Sequence, residues 1–206
     1  MRVLIAGFGP FPGAPFNPTA LLTVALARRR RPALSEIEIE SHVFTTAYTE
    51  VDRDLRRLFA RKPDIVLIFG LAAGRRHVTV ETRARNAVSL LSPDASGRRP
   101  QRATIDVGRP RSRAGNTPSA ALLSALRRSG VRAHLSRDAG RYLCNYVYWQ
   151  ALRHVDGKGP LVQFVHIPRV ATSAPRGTFK RRRPSFARLT RACENLLIAL
   201  VAASRR

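Results

Sequence analysis

The sequence predicts an α/β layered fold with a largely parallel sheet, built as one domain over residues 1–206. Three observations carry that expectation. Short apolar runs of strand length alternate along the chain with longer stretches of helical period. Apolar residues make up 44% of the 206 and are spread from end to end, which suits a single packed core and not a disordered chain. No internal repeat and no linker-like stretch divides the chain.

The elements follow in order. RVLIAG (2–7) is an apolar run stopped by glycine, the pattern of a buried strand. FGPFPGAPFNP after it holds too much Gly and Pro for regular structure. Residues 17–31 read as a helix opening at Asn17, with Pro18 at its first position. EIEIESHVF (36–44) alternates, so it predicts a strand with one wet face. Residues 48–61 place Val51, Leu55, Leu58 and Phe59 on one helical face. DIVLIFG (64–70) is a fully buried strand and HVTVE (77–81) an alternating one. Residues 92–116 are loop-like and basic. TPSAALLSALRRSG (117–130) carries the marks of a capped helix ending at Gly130. VRAHLS (131–136) is a strand, 142–155 a helix, and PLVQFVHIP (160–168) a strand. Residues 169–184 read as a loop. The last helix, 185–203, lines up Phe186, Leu189, Cys193, Leu196, Leu197, Leu200 and Val201.

The net charge of +24 invites a nucleic-acid reading. Its make-up argues against one. Only three of the 37 basic residues are lysine (Lys62, Lys158, Lys180), and the basic residues are scattered as well as clustered at 28–31, 109–113 and 180–183. Neither a zinc-finger spacing nor an RNP-like aromatic motif is present. No apolar run approaches a membrane span of about 20 residues, and MRVLIAGFG lacks the long apolar stretch of a secretory signal. The expected location is the cytoplasm, where Cys144 and Cys193 stay as thiols. Cys193, on the apolar face of the last helix, reads as packing. His42, His77, His134 and His154 show no metal-ligand spacing with one another or with the cysteines, so no metal site is expected.

Three residues at strand or helix ends are candidates for chemistry. Cys144, in SRDAGRYLCNYVYWQAL, lies close to a helix start, where exposed N–H groups favour a thiolate and can hold an oxyanion. A buried structural cysteine is the competing reading. His166 ends the apolar strand before Pro168 and is either a general base or a hydrogen-bonded core histidine. Glu81 ends its strand ahead of Arg83, Arg85 and Asn86, and either orients the histidine or pairs with those arginines at the surface.

Four blocks in order place these residues in a pattern. GFGPFPGAPFNP, GLAAGRRHVTVE, VRAHLSRDAGRYLCN and FVHIP together resemble the pyroglutamyl-peptidase I, or pyrrolidone-carboxylate peptidase, family of cysteine peptidases, over nearly the whole chain. The third block is the most specific, with Ser136, Ala139, Gly140, Tyr142, Cys144 and Asn145 in place. The resemblance implies a phosphorylase/hydrolase-like α/β/α sandwich around a twisted mixed sheet, with Cys144 as nucleophile, His166 as base and Glu81 as orienter. It further implies hydrolytic removal of an N-terminal pyroglutamate from a peptide, no metal or organic cofactor, and a homo-oligomer, often a tetramer. Phe8 and Tyr142 would flank the lactam ring, with Phe11 also at the substrate site, Asn17 would hold the loop or the lactam edge, and backbone groups near Leu71 would supply hydrogen bonds; packing of the core is the competing reading for Phe8, Phe11 and Tyr142. Three positions depart from the family pattern: Thr82 replaces a basic residue, Leu91 an arginine suspected of stabilising the oxyanion, and Arg169 an aromatic. Arg83 or Arg85 could take over the role vacated at Leu91. Two further readings compete: a cysteine amidase acting on another small cyclic or acylated amine, and a basic protein on the same fold that binds nucleic acid or an acidic partner.

Overall fold

The computed structural model describes residues 1–11, 13–155, 159–171 and 183–205. Among these residues eight strands and five α-helices follow in the order β1 (Arg2–Phe8), α1 (Pro18–Ala27), β2 (Glu38–Phe44), α2 (Tyr48–Phe59), β3 (Ile65–Leu71), β4 (Val78–Glu81), β5 (Arg83–Arg85), β6 (Ser112–Ala114), α3 (Ser119–Arg128), β7 (Ala133–Ser136), α4 (Leu143–Leu152), β8 (Leu161–Ile167) and α5 (Phe186–Ser204). Six strands form one sheet in the order β2-β1-β3-β8-β4-β7, parallel throughout except where β4 meets β8. Helices α1, α3 and α5 cover one face, with Leu22, Leu26, Leu122, Leu126, Leu196 and Leu197 packed on the sheet. Helices α2 and α4 cover the other, with Leu55, Leu58, Val147 and Trp149. This is the three-layer α/β/α architecture with a mixed, mostly parallel sheet.

Each buried leucine or phenylalanine in these two layers contributes on the order of 2 kcal/mol by leaving water. Asn17 caps α1 as its sequence predicts: its Oδ1 accepts from Thr19 N at 3.1 Å, with Pro18 in the first turn. The helix stops at Ala27, short of residue 31. Arg28–Arg31 set four like charges in succession, and Pro32 forces Arg31 into extended backbone.

Four other expectations meet a different outcome. Strand β2 is the sheet edge, and its buried residue, Phe44, comes from the face expected to be wet. Strand β4 is buried along its whole length, because it lies between β8 and β7 with helices on both sides. Part of the stretch read as loop, Ser112–Ala114, pairs with Arg83–Arg85 as a small second sheet. These arginine-bearing triplets are too short to show a period. Helix α3 has no side-chain cap: Pro118 holds the N-cap position and has no acceptor to offer, and the Thr117 hydroxyl before it donates to Gln163 Oε1 at 2.5 Å. Gly130 does close that helix, in the left-handed conformation at φ +76. Most of the loop read at 169–184 lies outside the described residues, as do Lys158 and Lys180. Among the described residues no helix is long and apolar enough to cross a membrane.

Candidate active site

Gly70 and His166 are partners across the β3–β8 ladder. A Cβ on Gly70 would lie 2.9 Å from Cys144 Sγ and 2.7 Å from Phe164 Cζ. Glycine at this position therefore lets the thiol and the phenyl ring settle directly onto the strand. Cys144 is the second residue of α4, with Tyr142 in extended backbone as the N-cap. The first-turn N–H groups there have no intrahelical acceptor. The turn before the helix is tied internally: Asp138 N donates to Ser136 Oγ, and Gly140 N to Asp138 Oδ1, both at 3.0 Å. Gly140, at φ +87, makes the left-handed step that aims the chain into α4. Buried Asn145 then locks the helix start to the segment after β4. Its Oδ1 accepts from Arg85 N at 2.8 Å, and its Nδ2 donates to the carbonyls of Arg85 at 2.8 Å and Ala87 at 3.0 Å.

His166 is buried near the end of β8, and its Nδ1–H donates to Glu81 Oε1 at 2.8 Å. An ionised carboxylate only accepts, so a proton sits on Nδ1 and Nε2 is the nitrogen turned away from Glu81. Glu81 is fully buried. Its carbonyl oxygen accepts from Tyr148 OH at 3.1 Å and Gln163 Nε2 at 3.0 Å, which fixes the backbone. The same Oε1 accepts from Arg75 Nη1 at 2.7 Å, while Oε2 is buried with no hydrogen-bond partner.

Burial alone would raise the Glu81 carboxyl. The hydrogen bond and charge of His166, the nearby Ser136 hydroxyl and Arg75 outweigh it and hold the group below the usual carboxylate range. Burial, and then the charge of Glu81, push the Cys144 thiol up to about 12, against smaller opposing effects of its own N–H and Arg75. The thiol and the carboxylate-bound imidazole thus border one cavity, where a base on the ring could take the thiol's proton.

Cys144 and His166 open into one cavity of about 220 Å³. Phe8, Phe11, Asn17, Leu71 and Tyr142, the residues named from the sequence, all line it. Phe8 is a floor residue, 2% exposed and packed against Phe44 and Phe164. Phe11 and Tyr142 stand closer to the opening, with ring centroids 6.3 Å apart. Tyr142 OH donates to Pro93 O at 2.9 Å, so its ring is anchored at the far end. The Asn17 amide is taken up by Thr19 and by Gly9 O at 3.1 Å, so it holds the loop. Arg83 and Arg85 do not line the cavity; Arg85 pairs with Asp138 Oδ2 at 3.1 Å. Leu91 is 82% exposed and lies away from it.

Several contributors were not singled out from the sequence. Thr46 and Arg141 line the cavity, and Arg75, Tyr148 and Gln163 hold Glu81. Gln163 carried a signal, as an amide inside an otherwise apolar strand. Arg75 carried none that spacing could reveal. Pairing of β4 with β7 also brings His77 and His134 edge to face, with ring centroids 4.4 Å apart. Among the described residues no group of three or more His, Cys, Asp or Glu could hold a metal ion.

The family model described as pyroglutamyl peptidase matches residues 1–206. The pyrrolidone-carboxylate peptidase of Pyrococcus furiosus is 31% identical over 171 residues, 82% of this chain and 81% of that protein. That of Thermococcus onnurineus is 32% identical over 190 residues, 91% of each. The solved pyrrolidone carboxyl peptidase of Thermococcus litoralis superimposes with a TM-score of 0.85 at 28% identity, over 98% of this chain and 93% of that one.

Proposed function

The chain belongs to the pyroglutamyl peptidase family, and on that premise we propose that it hydrolyses the bond after an N-terminal pyroglutamate with Cys144 as nucleophile, His166 as general base and Glu81 as orienter. The observation that carries this reading is the convergence of Cys144 and His166 on one cavity, with Glu81 on the far nitrogen of the imidazole at 2.8 Å.

In this mechanism His166 Nε2 takes the proton from Cys144 Sγ as the thiol attacks the carbonyl carbon that links pyroglutamate to the next residue. The negative oxygen is met by first-turn N–H groups of α4, beginning with that of Cys144. The imidazolium, steadied by Glu81, gives its proton to the leaving amine, and the C–N bond breaks. The pyroglutamyl thioester is then opened by a water whose proton goes to His166 Nε2, releasing free pyroglutamate and the thiol.

The cavity suits the lactam. Phe8, Phe11, Leu71 and Tyr142 offer apolar walls to a flat five-membered ring. Among the described residues no carboxylate lines the cavity, and Arg141 does, so a free N-terminal ammonium would enter unpaired against like charge. The test is hydrolysis of pyroglutamyl, prolyl and glutaminyl arylamides, with and without prior alkylation. The expected result is strong preference for the pyroglutamyl substrate and loss of turnover on alkylation. Equal rates on all three substrates would remove the lactam pocket from the account.

A further inference from the structure

Arg75 stands where three segments of the site meet. Its Nη1 donates to Glu81 Oε1 at 2.7 Å, and its Nη2 donates to the carbonyl oxygen of Asp138 at 3.0 Å. Asp138 belongs to the turn that delivers Cys144 to the start of α4. The backbone of Arg75 is itself held to the histidine strand, because Arg75 N donates to Ala72 O and Ala72 N to Ile167 O, each at 2.9 Å. One planar guanidinium thus spans the orienting carboxylate and the nucleophile turn, from a base fixed one residue beyond His166.

We propose that Arg75 is a positioning residue for the reaction, clamping the Glu81 carboxylate and the Asp138 turn in the one arrangement that presents Cys144 to His166. The proposal rests on the peptidase reading above. Two physical arguments support it. A fully buried carboxylate needs a lasting charge partner. Arg75 supplies it permanently, since a guanidinium does not deprotonate. Its fork also matches two acceptors at once, where a lysine ammonium would act as a single point charge. Because Arg75 and His166 share Oε1, the clamp also sets the direction from which the carboxylate meets the imidazole. The positive charge reaches the thiol as well, opposing the upward push of Glu81 on Cys144.

The experiment compares wild type, Arg75→Ala and Arg75→Lys by two readouts. The first is the rate of iodoacetamide capture at Cys144 against pH, read by peptide mass spectrometry, which needs no substrate. The second is kcat and KM on a pyroglutamyl arylamide, with thermal melts establishing that each variant is folded. Arg75→Ala is expected to move the capture profile about one pH unit upward and to lower kcat about 10- to 100-fold, with KM nearly unchanged. Arg75→Lys is expected to restore the capture profile, because charge returns, but only part of kcat, because the bond to Asp138 is lost. A folded Arg75→Ala with the wild-type profile and kcat would overturn the proposal. So would an Arg75→Lys variant indistinguishable from wild type in both readouts, which keeps the clamp testable even if the alanine variant does not fold. A shifted capture profile in a protein whose wild type turns over no pyroglutamyl substrate would sink the peptidase reading and leave the clamp standing.

Discussion

Cys144 and Cys193 carry the same thiol in two settings, and burial pushes both above the ordinary cysteine range. Around Cys193 burial is the whole cause. The side chain is fully enclosed in the layer formed by α1, α3 and α5, and no neighbouring charge contributes. Around Cys144 burial is followed by the opposed charges of Glu81 and Arg75 and by the residue's own N–H. Its side chain is only half-buried and borders the cavity shared with His166. A raised resting pKa therefore does not separate an inert thiol from a reactive one. What separates them is whether a base stands ready to take the proton and whether N–H groups can receive the charge that follows.

The largest break in this comparison is expected from Cys144→Ala. It should drop turnover of pyroglutamyl arylamide to background, a loss on the order of 10⁴-fold or more, with the melting temperature little changed. Full activity would refute the mechanism. Next come the groups that make Cys144 different. His166→Ala should cost nearly as much, and Glu81→Gln roughly tens of fold less, because the orienter fixes tautomer and geometry only. Steady-state kinetics on the two variants decide the order, and wild-type turnover in His166→Ala would end the assignment. Gly70→Ala sharpens the comparison sterically, since the new methyl meets Cys144 Sγ at 2.9 Å and the Phe164 ring. The expected effect is about 10- to 100-fold in kcat and about 1–3 kcal/mol in stability, read by denaturant titration. The smallest effect on chemistry belongs to Cys193→Ala. It should cost about 1–2 kcal/mol of stability and leave kcat within about twofold. A loss of turnover per folded molecule would contradict its assignment to packing.

How far the sequence reaches can be seen at particular residues. Asn17 and Pro18 announce the start of α1 because a cap is a local device, satisfied within two residues. The end of that helix falls within the arginine run ahead of Pro32, where no apolar residue marks it. Strand β4 reads as half-wet because its polar residues alternate, yet Glu81 is polar for a partner 85 positions away. Without the family resemblance, the segments of Cys144, His166 and Glu81 left structural and chemical readings both open, since their meeting is a property of strand order. The sheet places β8 between β3 and β4, which sets His166 beside Gly70 on one side and Thr79 on the other. Nothing local in GLAAGRRHVTVE says which of its arginines turns inward, and Arg75 is found only from the fold.

The sheet that separates the two packed layers also separates the two cysteines, Cys193 on one side and Cys144 on the other. The two thiols cannot meet without opening the fold. A peroxide that converts Cys144 to its sulfenic acid would thus find no resolving cysteine in the same chain, and internal disulfide formation would not rescue the site. Recovery would fall to thiols from solution, so the supply of small reductants sets how long a molecule of this protein keeps its nucleophile.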